Sequence, residues 1–200
     1  MKGYGLFFYP IPLTIDRLDA HVSSNHSRVI KKIIVLGGKN EGVSVATSDD
    51  ALLCIFGLER EEALKLINTI FAVFTLNLKI TCFSAKRDDL VECSTFRSNM
   101  FKVDASTGDN LRNYLQFKRS PLDDSYEWRM YPRKQITVAL FESMIRLAND
   151  FYDNIDIHRD VLLLSDGFTL YHRDELNASF LYAWMMIETF LKSGESMSRD

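Results

Sequence analysis

From Asp174 to Lys192 the apolar residues return every third or fourth position, placing Leu176, Phe180, Trp184, Ile187 and Leu191 on one helical face. One carboxylate, Glu188, falls inside that apolar arc, between Trp184 and Leu181. The spacing predicts a helix packed against other elements. Two periodic stretches precede it. Lys134 to Phe151 carries Ile136, Leu140, Met144, Leu147, Ala148 and Phe151 on one side, with Glu142 and Arg146 paired at i, i+4 on the outside. His158 to His172 carries Val161, Leu164, Phe168 and Tyr171, and its Gly167 marks a kink or a close helix contact. Three consecutive helices with short connections predict an antiparallel bundle.

Ahead of residue 117 the pattern shortens to strand-like runs. Leu6–Tyr9, Val29–Leu36, Val43–Ala46, Ala51–Phe56, Leu78–Ser84, Leu90–Phe96 and Met100–Val103 read as strands by β-branched content or by alternation. Pro10 and Pro12 confine the first to an edge or an end, because proline cannot donate to a ladder. Residues 21–28 read as loop. Gly37-Gly38 through Gly42 is a hairpin turn and not a phosphate cradle, since no helix opens directly behind it. One amphipathic helix, about Glu59 to Leu76, starts on Glu59, Glu61 and Glu62 and is apolar enough to lie buried across a sheet. The fold class is α+β. Residues 1–117 form an antiparallel sheet with a packed helix, 118–133 a connector, and 134–200 an incomplete helical bundle.

Composition fits this picture: 46% hydrophobic and 26% charged residues describe a folded globular chain and not a disordered one. No run approaches the ~18 apolar residues of a membrane span, so no membrane partner and a cytoplasmic location are expected. A net charge of -3 gives no global signature of a nucleic-acid coat. The charge is uneven, however. Residues 150–200 hold ten acidic and four basic side chains, a balance of -6, which leaves +3 for the rest. Between Lys118 and Arg133, basic residues (Lys118, Arg119, Arg129, Arg133) interleave with Trp128 and two tyrosines, as on a single-strand-binding surface. Asp123, Asp124 and Glu127 partly neutralise them, which favours a plain connector.

Candidate chemistry is sparse. Cys54, Cys82 and Cys93 have no zinc-ligand spacing and read as buried thiols, and no metal or cofactor is expected. His21, His26, His158 and His172 form no H-E-x-x-H motif, and the last two flank a helix, where solvated or capping roles fit. No nucleophile elbow is present. Glu188 lacks a second group near it, because Asn177 lies about 16 Å along the helix. No catalytic residue is assigned.

Tyr131–Lys192 resembles the front half of HEPN-type helical domains, in particular the Apea-like, abortive-infection type preceded by an α+β region. The likeness lies in a helix opening with Arg133 and Lys134 and continuing Ala139-Leu-Phe141, a second ending Leu170-Tyr-His172, and a third reading F-L-x-x-W-x-x-x-E from Phe180 to Glu188. Glu61–Asn68 resembles the helix such proteins carry before the bundle. The resemblance implies an RNA-binding or ribonuclease-family protein of a defence or stress response, with RNA and a homodimer through the helical module as partners. The family's R-x(4–6)-H motif is absent, and the chain reaches Asp200 where the later helices should begin. Whether the parent is an enzyme therefore stays open, and no ribonuclease activity is expected of these 200 residues. The alternative is a non-enzymatic interaction or dimerisation protein with a helical docking face. Trp184, Phe180 and Glu188 are its interface candidates, on a face that three helices leave uncovered.

Overall fold

A computed structural model of the protein describes residues 1–8, 13–16, 27–48, 52–78, 82, 84–96, 100–103, 134–171 and 174–197. The strands are β1 (Lys2–Phe7), β2 (Leu13–Ile15), β3 (Ser27–Val35), β4 (Ser44–Ser48), β5 (Leu52–Phe56), β6 (Val91–Phe96), β7 (Met100–Val103) and β8 (Lys134–Ile136). The helices are α1 (Arg60–Leu78), α2 (Val138–Asp153), α3 (Ile155–Tyr171) and α4 (Leu176–Met197). The α+β class holds. None of the described helices is long and apolar enough to cross a membrane.

The antiparallel strands close on themselves. β1 pairs with β5 on one side and β6 on the other, completing a barrel in the order β1-β5-β4-β3-β7-β6. Closure is possible because β1 carries glycine where its neighbours crowd. A Cβ at Gly5 would stand 2.8 Å from Cys54 Sγ and 2.9 Å from Cys93 Sγ, well inside contact distance. Ala46, Leu52, Cys54, Phe56, Val91 and Cys93 fill the lumen. The opposite strand faces (Leu6, Ile34, Val45, Leu53 and Ile55) join the larger core under the helices. Burial on both faces explains why β5 reads as an unbroken apolar run and gives no alternation to betray a barrel.

α1 lies across this barrel, as expected, and is buried on more than one side. Thr69 and Ala72, on its less apolar flank, are as deeply buried as Ile67 and Phe74. Phe8 stacks on Phe71 and Phe74, each with ring centroids 4.8 Å apart, and Phe74 meets Phe141 of α2 edge-on at 5.9 Å. Leu6, Phe74, Phe141 and Ala148 thus belong to one core, which spans the two sides of residues 118–133. α2 and α3 pack beside α1, and α4 packs chiefly on α3.

Several boundaries differ from the sequence expectation. Lys134–Ile136 is strand and not helix: it pairs in parallel with β2, and Thr137 caps α2 by accepting from Leu140 N at 3.2 Å. Residues Ser27 and Arg28, expected in a loop, begin β3, because their partners Lys102 and Phe101 on β7 extend the ladder. The first strand is Lys2–Phe7, so it starts before Leu6. Helix α1 runs through Leu78 into the expected strand Leu78–Ser84, of which Cys82 and Ser84 are described; Cys82 N donates to Thr75 Oγ1 at 3.0 Å. Gly167 produces a close helix contact, with its missing Cβ only 3.4 Å from Tyr182 Cβ. The Glu142–Arg146 pair forms at 2.8 Å and is joined by Lys32 at 2.9 Å.

Candidate interaction surface

The hairpin of α3 and α4 begins with a tight turn. Glu175 N donates to Leu170 O at 3.0 Å and Asp174 N to Tyr171 O at 3.2 Å, the two bonds of a Schellman motif. Asp174 takes the left-handed conformation at φ 60, which aspartate tolerates better than most side chains. The two helices then meet at small residues. Ser179 Oγ donates to Gly167 O at 3.0 Å, and Tyr182 lies against the same glycine.

That contact decides which side of α4 faces inward. Ser179, Tyr182 and Met186 turn toward α3 and are half-buried, whereas the stripe expected to pack is exposed. Phe180 is 67% exposed, Leu181 59%, Leu176 57%, Trp184 56%, Ile187 53% and Met185 47%. At 100° per residue these six span about half the circumference, with Asn177 and Glu188 between Trp184 and Leu181. Glu188 is exposed within the same arc, as its position in the sequence implied. The side chain of Leu191 lies outside the described residues. Phe168 and Tyr171 of α3 extend the apolar surface, and between the helices runs a groove of about 250 Å³. Leu163, Leu164, Phe168, Tyr171, Tyr182 and Met186 line it. The α3 residues were legible only as a helix face, since periodicity marks an apolar side without saying whether anything covers it.

Of the site residues read from the sequence, the structure therefore gathers Phe180, Trp184 and Glu188 on one exposed surface. Lys118, Arg119, Trp128, Arg129 and Arg133 lie outside the described residues.

A second cluster ties α1 to the α2–α3 corner. The Tyr152 hydroxyl donates to Glu62 Oε2 at 2.5 Å, Lys65 Nζ donates to Glu62 Oε1 at 2.6 Å, and the His158 ring packs on Tyr152 at 5.0 Å. The hydrogen bonds from Lys65 and Tyr152 hold the Glu62 carboxyl below its ordinary range. Burial, with Glu62 beside it, keeps Tyr152 protonated far past the usual phenol range. Burial and then the Lys65 charge push His158 down, so its imidazole is neutral. Its Nε2 is buried without a hydrogen-bond partner. The sequence expectation of a solvated or capping histidine is thus corrected: His158 fills a joint. With its free nitrogen shut from solvent and Tyr152 already committed to Glu62, the cluster holds elements together and presents no group to a substrate.

Two further polar sites are likewise internal. Lys39 N and Asn40 Nδ2 reach the Asp153 carboxylate, each at 3.4 Å, and Asn40 Nδ2 donates to Asn149 Oδ1 at 2.8 Å. The Gly37-Gly38 turn is therefore a hairpin turn, and the anion facing it is the protein's own. Ser84 donates to Asp166 Oδ1 at 2.5 Å, and burial pushes the Asp166 carboxyl up. The three thiols are buried as expected, that of Cys82 being pushed up to about 12 by desolvation. Among the described residues no group of three His, Cys, Asp or Glu side chains is placed to hold a metal ion.

The architecture these observations define is a six-stranded antiparallel barrel with helices packed on it and a helical hairpin whose outer face is exposed among the described residues. Comparison with family models, with curated proteins and with solved structures found no match to the chain.

Proposed function

We propose that this chain is a non-enzymatic interaction protein, with the outer face of the α3–α4 hairpin as its docking surface. The observation that carries this reading is the broad exposed apolar arc from Leu176 to Ile187, with Phe180 and Trp184 on it. Monomeric proteins rarely leave contiguous apolar patches beyond a few hundred Å² without a use for them. Eight large side chains, four of them aromatic, together expose an area on the order of one partner's ~800 Å² share of a standard interface. The RNA-binding or ribonuclease reading rests on the resemblance of Tyr131–Lys192 to HEPN-type helical domains, whose R-x(4–6)-H motif the sequence lacks, so the docking reading is preferred.

The test is to replace Phe180 and Trp184 together by serine and follow urea unfolding in dilute solution. A docking surface predicts a folded protein with stability within about 0.5 kcal/mol of the parent, as for surface substitutions generally. A loss of about 3 kcal/mol or more, the size of a core truncation, would show that the face is internal packing and end the proposal.

A further inference from the structure

One edge of β3 is left unused by the barrel. The strand pairs with β4 from Ile30 to Val35, but with β7 only from Ser27 to Val29. A bulge between Ile30 and Lys32 separates the two stretches. Leu36 N donates to Val43 O at 2.9 Å, and antiparallel bonding alternates, so Ile34 and Lys32 also turn their main-chain groups to β4. Ile33 and Val35 turn theirs the opposite way, along the edge that β7 has left. Among the described residues, no strand or turn bonds to those N–H and C=O groups. The side chains are open as well. Ile33 stands opposite Ala46 of the lumen, yet Ile33 is 46% and Val35 62% exposed. The other face of the strand is fixed: Ile34 and Leu36 lie in the core, and Lys32 reaches Glu142 of α2 at 2.9 Å. Proteins ordinarily cover or pair such an edge.

We infer that this edge takes a short extended segment of another protein, added antiparallel to β3 beyond the end of β7. This site is on the barrel and does not depend on the docking reading of the α3–α4 face. Donors and acceptors alternating along a strand edge match another extended main chain, as in peptide recognition by strand addition. A helix cannot supply them, because its main-chain groups bond to one another. The exposed β-branched pair calls for apolar side chains at the alternate positions that face it. A second copy of this chain fits poorly. It could bring only its own edge from Ile33 to Val35, far short of the ~800 Å² each partner gives to a standard interface. A flexible segment can follow β3 and also lay its side chains over the open lumen face.

A capped peptide of about seven residues, valine alternating with threonine, provides the probe. Its twin is N-methylated at the amides that would face β3. Binding to the whole chain is followed through amide NMR shifts at low and high salt. The expected result is one-to-one binding that moves the amides of Ile33 and Val35 and changes little with salt, since no ion pair is invoked. The methylated twin should bind at least tenfold more weakly. Val35→Pro removes an edge N–H that β4 does not use, so the fold should survive and affinity should fall about tenfold. The Phe180→Ser/Trp184→Ser pair should bind as the parent does. Equal binding of the two peptides, which needs no variant to fold, would overturn the inference. So would shifts confined to residues away from β3, or a dimer in sedimentation equilibrium that Val35→Pro dissolves.

Discussion

At the scale of single residues, His158 shows how a polar side chain can serve the fold and leave a titration signature. Its imidazole is kept neutral by burial and by Lys65, against a weaker opposing pull from Glu62. The unfolded chain would take up this proton near the ordinary value of about 6.5, while the folded chain resists until lower pH. Stability from this site is therefore complete above about pH 6.5 and is lost as the pH falls through the folded value. Urea midpoints taken at pH 7.5 and at 5.5, above the carboxylate range, should differ more for the parent than for His158→Phe. Identical pH dependence in the two proteins would count against the assignment. The sequence could not show this, because four histidines without motif spacing look alike until Tyr152 and Glu62 are placed. The buried cysteines were legible for the opposite reason: apolar neighbours in sequence are sufficient to predict a thiol's surroundings.

At the scale of elements, local capping decides where helices begin, and it outweighed apolar periodicity at Thr137. The pattern from Lys134 onward reads as continuous helix, yet the strand partner Leu13–Ile15 claims Lys134–Ile136 and the Thr137 hydroxyl starts α2 three residues later. Removing that cap by Thr137→Ala should cost about 1 kcal/mol, and Thr137→Ser should retain most of it. Thermal or urea unfolding of the two variants checks this, and equal stability would mean that β8 alone sets the start of α2. The same limit governed α4. Its helix was plain from the sequence and so was the misplaced Glu188, but its inward side was chosen by Gly167 and Ser179, small residues that a search for apolar stripes passes over. Seven strand segments were read, and most were found; that six strands close into a barrel depends on pairing between β1 and β6, nearly ninety residues apart, which no local pattern encodes.

At the scale of the molecule, the barrel's outer face and the helices share one core, and its members come from both ends of the sequence. β2 finds its parallel partner β8 from Leu13 to Lys134, and Asp16 then accepts from Val138 N at 3.1 Å. A fragment of residues 1–117 would expose Phe74, Ile70 and the other α1 side chains that Phe141, Ile145 and Ala148 complete. It should accordingly lack cooperative unfolding, whereas residues 1–171 should keep it; a sharp two-state transition in the shorter piece would contradict this. The pairing of β2 with β8 carries a consequence for biosynthesis. A nascent chain cannot complete its interior until about residue 148 has cleared the ribosome, which at 5–20 residues per second leaves the barrel's apolar flank waiting for seconds. High sequence separation of this kind slows folding and lengthens the time for which that flank is exposed.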